Sequence, residues 1–134
     1  MKRTVALVGV IVMGCTPAPA RPFVGLWGAR RPATPPACEG TTLELTRNGR
    51  FEVKSAGQVV TARYQASASG NGHKLVLTDL HVTDQPNCQG YSADEVRRHQ
   101  LTQLYLVVRN DTMWFFADPD SVPLDAVVRV RNIP

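Results

Sequence analysis

Residues 43–53 read Leu43-Glu44-Leu45-Thr46-Arg47-Asn48-Gly49-Arg50-Phe51-Glu52-Val53, and their pairing decides the fold. Apolar Leu43, Leu45, Phe51 and Val53 alternate with polar residues on both sides of an Asn-Gly pair, the pattern of two half-buried strands joined by a tight turn. A two-residue Asn-Gly loop would set Leu45 opposite Glu52 and Leu43 opposite Lys54, mixing apolar and charged side chains on one face. A three-residue loop, Arg47-Asn48-Gly49, instead pairs Leu45 with Phe51 and Leu43 with Val53 and leaves Gly49 left-handed in a bulge. The sequence therefore predicts a bulged hairpin with one continuous apolar face.

Outward from this hairpin the same period-2 pattern recurs, broken by Gly, Asn, Asp and Pro clusters. Eight strands are predicted, at 23–29, 41–46, 51–55, 59–68, 73–83, 101–109, 112–117 and 125–131. In the fifth strand the apolar phase switches from Leu75 and Leu77 to Leu80 and Val82, which predicts a second bulge near Asp79. The helical stretch is Ser92 to Gln100, where Ser92 and Glu95 have the spacing of a capping box. Residues 30–40 form a proline-rich loop around Cys38. Long, bulged antiparallel strands suit a barrel, closed or cracked, so the fold class is all-β: a single small eight-stranded antiparallel barrel with one short helix.

The chain has 134 residues, 43% of them hydrophobic, which fits one domain with its own core. It opens with MKRTVALVGVIVMGC: two basic residues, an apolar run from Val5 to Met13, then Gly14 and Cys15. This has the layout of a secretory signal peptide, and the run is about half the roughly 20 residues a membrane-spanning helix needs. Val12-Met13-Gly14-Cys15 resembles the lipobox of bacterial lipoproteins. The resemblance implies cleavage after Gly14 and acylation of Cys15, and Thr16, where Asp would imply inner-membrane retention, implies the outer membrane. The expected domains are a signal peptide at 1–14, an acylated Cys15 with a Pro-rich spacer at 15–22, and a β-barrel domain at 23–134. An ordinary signal peptide cut near Ala18 or Ala20 is the alternative.

With Cys15 assigned to lipid, Cys38 and Cys88 remain as an even pair in an oxidising compartment, which predicts a disulfide. A metal site built on Cys88 with His81 or Asp84 lacks any C-x-x-C or H-x-x-x-H spacing. Lys plus Arg number 15 against 11 acids, a formal charge of +4. Removing Lys2 and Arg3 with the leader leaves 13 against 11, or +2. That field is too weak to argue for nucleic acid as a partner.

Phe23-Val24-Gly25-Leu26-Trp27-Gly28 resembles the G-x-W opening of lipocalins and related calycin barrels. The resemblance implies barrel architecture, with Trp27 at the closed end beneath an arginine of the last strand, Arg129 or Arg131. The T-D-Y signature and the helix after the barrel are missing, so ligand chemistry does not carry over.

Catalytic signals are weak. His73, His81 and His99 have no ligand spacing and read as surface residues. Ser92, Asp94 and His99 contain the atoms of a triad but neighbour one another in a polar segment without a nucleophile elbow. The protein is expected to be a non-enzyme without a cofactor. One apolar surplus asks for a function: if Asn110-Asp111 is a two-residue turn, Leu104, Leu106, Val108, Met113 and Phe115 share one face of the hairpin. Tyr105, Val107, Trp114 and Phe116 share the other. The aliphatic set with Phe115 suits the core, and the aromatic set is then a candidate partner-binding surface, unless the 92–100 segment or the 30–40 loop covers it. Arg97 and Arg98, near it in sequence, would suit a protein interface.

The expected function is that of an outer-membrane lipoprotein facing the periplasm, a protein-binding accessory, assembly or pilot factor. In its short acylated β-domain it resembles secretin pilotins. Alternatives are an inhibitor or toxin-immunity lipoprotein, since Ser67-Ala68-Ser69-Gly70 resembles a short motif in membrane-bound inhibitors of C-type lysozyme, or a carrier of a small apolar ligand, with Ala62, Ala66 and Ala68 leaving room inside the barrel.

Overall fold

The computed structural model describes residues 21–30 and 34–130. Cys15, the leader, most of the spacer and Arg131 lie outside the described residues. Eight antiparallel strands, each paired with the next, run β1 Gly25–Ala29, β2 Thr42–Leu45, β3 Arg50–Ser55, β4 Gln58–Ser69, β5 Gly72–Val82, β6 Gln103–Arg109, β7 Thr112–Phe116 and β8 Asp125–Arg129. Pairing of β8 with β1 closes the barrel, which settles the choice between closed and cracked. One short helix, α1 (Ala93–His99), follows β5.

Register follows from the sequence pattern. Leu45 pairs with Phe51 and Leu43 with Val53, and Gly49 adopts φ +95°, as the three-residue turn requires. The second bulge falls where the apolar phase switches. Between the pairs Thr61–His81 and Arg63–Thr78 the register slips, and Asp79 sits at φ +55°. The slip returns Leu80 and Val82 to the side of the core, against which both pack.

The barrel interior is densest where the chain enters. Phe23 and Trp27 are both 0% exposed, among Leu45, Phe51, Tyr64, Leu75, Leu106 and Met113. The Trp27 indole N–H donates to the Phe23 carbonyl at 2.9 Å, which leaves no polar atom of the ring unpaired. Arg129 lays its guanidinium 4.3 Å from the Trp27 ring centroid and donates to the carbonyls of Val24 (3.1 Å) and Pro22 (2.7 Å). Gly25 is required here: its φ is +143°, and a Cβ would stand 2.7 Å from Arg129 Nη1. The arginine expected above Trp27 is thus Arg129.

Tyr64 is buried in this end, and its hydroxyl donates to the Thr46 carbonyl, fastening β4 to the β2–β3 turn. Burial raises the Tyr64 pKa above that of a free phenol, and hydrogen bonding and charge from Arg21 offset part of the rise. His73 corrects the surface reading of the three histidines. It starts β5 on the inward side, is half-buried, and packs edge-on against Phe23 with ring centroids 5.0 Å apart.

The opposite end is loosely filled. Two connections meet over it, the segment 34–41 with its 3-10 turn at Pro36–Cys38, and the loop 83–91. The Cys38–Cys88 disulfide joins them across a sequence separation of 50. The second loop is also tied to the wall. Cys88 N–H donates to Ser55 Oγ at 2.9 Å, and the buried Gln58 side chain donates to the carbonyls of Gln85 (2.8 Å) and Tyr91 (3.4 Å).

From that loop the chain passes into α1 through the expected capping box: Ser92 Oγ accepts from Glu95 N–H, and Glu95 Oε1 accepts from Ser92 N–H. Ala93 and Val96 turn the helix inward onto the core.

Candidate functional site

The β6–β7 hairpin pairs as its sequence predicts: Tyr105 with Phe116, Leu106 with Phe115, Val107 with Trp114, and Val108 with Met113. Leu104, Leu106 and Met113 are buried, and Val108 and Phe115 pack against the core. Strand alternation then fixes Tyr105, Val107, Trp114 and Phe116 on the outside of the barrel. All four are half-buried, because neighbouring segments wall them into a groove of ≈ 500 Å³. One wall is the β4–β5 turn at Ser69, Gly70 and Asn71. The other is Pro119 and Pro123, from the connection between β7 and β8.

That connection is held by its own hydrogen bonds. Ser121 Oγ donates to the Asp118 carbonyl (2.9 Å), Asp120 N–H to Asp118 Oδ1 (3.0 Å), and Leu124 N–H to the Phe115 carbonyl (2.7 Å). Both prolines are therefore positioned before anything binds. Arg109 lines the groove beside the turn, is exposed, and has no ion pair among the described residues. Arg30 holds its guanidinium 5.0 Å from the Trp114 ring centroid, a cation–π contact on the outer surface.

Among the described residues, neither expected cover closes over the aromatic set. Residues 92–100 lie elsewhere, with α1 against β5, and from the 30–40 loop it is Arg30 that reaches Trp114. Arg97 lies away from the aromatics: it pairs with Asp94 at 2.6 Å and donates to the Val82 carbonyl. The groove gathers His73, Arg109, Pro119 and Pro123, which the sequence reading left out of this site, and Arg30 stacks on its Trp114 from outside the lining. Their signal was available in part, as prolines bracketing a short acidic loop directly after an aromatic strand.

The triad atoms are committed elsewhere: Ser92 caps α1, Asp94 is paired with Arg97, and His99 is exposed at the helix end. No three His, Cys, Asp or Glu side chains among the described residues stand together as a metal site. Ser67 and Ala68 are exposed near the tip of the β4–β5 hairpin, and Ser69 and Gly70 belong to the groove wall. Of the three alanines expected to leave room, Ala62 is buried in the core, Ala66 packs against it, and Ala68 is exposed. The open volume lies instead at the loosely filled end, a cavity of ≈ 660 Å³ over Trp27, Leu43, Val53 and Val60. No protein-family model, curated protein or solved structure matches the chain.

Proposed function

We propose that the protein is a lipid-anchored, non-enzymatic component of the outer membrane. Its barrel, facing the periplasm, docks on another envelope protein as an assembly, pilot or accessory factor. Acylation of Cys15 supplies the anchor in this reading, and the Pro-rich spacer extends about 3.1 Å per residue between lipid and domain. The observation that carries the docking role is the hairpin's second apolar face. Tyr105, Val107, Trp114 and Phe116 are not needed for a core that Leu104, Leu106 and Met113 already fill, yet they are collected in one preformed groove. Interface energy concentrates on such aromatic and arginine anchors in partly enclosed sites.

A photocrosslinking amino acid at Val107, compared with one at Arg63 on another flank, tests the reading. The expected result is a crosslink to a defined envelope protein from 107 alone, lost in Trp114→Ala. Equal products from both positions would overturn it. An inhibitor would use the same groove, since Ser69 and Gly70 form its wall, and the identity of the crosslinked protein separates the two versions.

A further inference from the structure

We infer that the closed end of the barrel is a docking surface for an anionic lipid bilayer, whose phosphate headgroups it meets with a spread of arginines. Chain entry, the β2–β3 turn, the β6–β7 turn and the end of β8 come together at that end: Gly25 pairs with Leu45, and Arg129 N–H donates to the Asp111 carbonyl at 2.8 Å. These connections carry Arg21, Arg47, Arg50, Arg109 and Arg129, and Asp111 is the carboxylate among them.

At the mouth, whose rim holds the Cys38–Cys88 disulfide, the balance is reversed. The chain from 83 to 102 and from 117 to 125 carries Asp84, Asp94, Glu95, Asp118, Asp120 and Asp125 against Arg97 and Arg98. Among the described residues of the first connection, Arg30 and Glu39 offset each other. A chain of small net charge is thereby made strongly dipolar along the barrel axis.

Two of the closed-end arginines are engaged, Arg50 with Glu52 at 3.0 Å and Arg129 with Asp111 at 3.8 Å. Arg21, Arg47 and Arg109 are exposed and have no carboxylate partner among the described residues. They come from three separate connections, so their guanidinium groups are spread over the end and suit a field of phosphates, each of which a guanidinium can grip through two N–H groups. A cation of this kind near an anionic membrane strengthens binding by roughly fivefold.

The choice of a bilayer over a soluble acidic partner rests on the proposed anchor at Cys15. Residues before Arg21 leave from the arginine-bearing end, and an extended spacer of about 3.1 Å per residue keeps that end close to whatever holds Cys15. So short a tether gives the arginines a high effective concentration of headgroups. The acid-rich mouth is repelled by the same surface, so both ends favour one upright orientation of the barrel.

The mature chain carrying Cys15→Ala, exported behind a standard cleavable leader, tests the surface without the lipid. It is expected to sediment with vesicles of phosphatidylglycerol and phosphatidylcholine in roughly equal parts at about 50 mM salt, to ignore phosphatidylcholine alone, and to be released at about 300 mM salt. Arg47→Glu and Arg109→Glu should each weaken that binding by at least about fivefold. Arg98→Glu, which changes the net charge equally from the mouth end, should weaken it by less than about twofold. All three positions are exposed, so the melting transition should stay in place.

An effect of Arg98→Glu as large as that of Arg47→Glu, equal binding to phosphatidylcholine alone, or no sedimentation at low salt would each overturn the proposal. Tighter binding to soluble polyglutamate than to the anionic vesicles, at matched charge, would assign the surface to an acidic protein and overturn it too. Neither an acyl group nor a partner protein is present in this experiment, so its failure leaves the acylation of Cys15 and the docking groove to their own tests.

Discussion

The molecule holds two tryptophans, each beneath an arginine, and they behave as opposites. Trp27 is 0% exposed with Arg129 at 4.3 Å, while Trp114 is half-buried with Arg30 at 5.0 Å. The difference lies in what else the arginines hold. Arg129 donates to two backbone carbonyls of the entering chain and sits against Gly25, whose φ of +143° would strain any larger residue. Among the described residues Arg30 has no such pair of carbonyls, and it stays exposed. The same cation–π pair is thus a rivet in one place and a surface in the other. Satisfied hydrogen bonds and burial, more than the pair itself, make the first structural.

The largest effect should separate them outright. Trp27→Ala is expected to cost about 3–5 kcal/mol in urea unfolding, through lost burial and the void left behind. Next comes the rim: replacing Cys38 and Cys88 by Ser should cost about 2–4 kcal/mol, since the link constrains a long loop in the unfolded chain. Both cysteines of the native protein should resist alkylation until a reductant is added.

Trp114→Ala should lower stability by less than about 1 kcal/mol, as surface substitutions do, yet weaken partner binding by about 2 kcal/mol or more. A Trp114→Ala protein as unstable as Trp27→Ala would break the contrast and make the outer face structural.

The arginines sharpen it. Arg129→Ala removes charged hydrogen bonds and should cost about 1.5–3 kcal/mol, against about 0.5–1 kcal/mol for Arg30→Ala.

The smallest effect, away from both tryptophans, is the α1 cap. Hydrogen bonds from Ser92 hold the Glu95 carboxyl below the usual carboxylate range. A depressed acid contributes stability above its unfolded pKa and loses it as pH falls through the folded one. Glu95→Gln should therefore lower the melting temperature slightly at neutral pH and leave it unchanged in acid.

Strand order, both bulges, the hairpin registers and the disulfide were legible because each rests on local chemistry: a period of two, an Asn-Gly pair, a phase switch, an even cysteine count. Asp79 illustrates this, since the change from Leu77 to Leu80 is visible without knowing what lies across from it. The sites were legible only in part. The outward set of Tyr105, Val107, Trp114 and Phe116 follows from alternation, but the groove around it depends on Pro119 and Pro123 folding back opposite the β4–β5 turn. Gln58 was illegible altogether. Beside Gly57 in a turn it reads as a surface amide, and only its bonds to Gln85 and Tyr91, 27 and 33 residues away, bury it. Polar contacts over such separations leave no periodicity behind.

The clamp of Arg129 on Pro22 and Val24 has a mechanical side. It gathers the entering chain and the last strand at one end of the barrel, and the mouth lies at the other. A load applied through the preceding residues would be taken up by those two bonds and by the pairing of β1 between β2 and β8, in shear along the strand. If Cys15 carries lipid, the domain hangs from its closed end with its opening turned away from the bilayer.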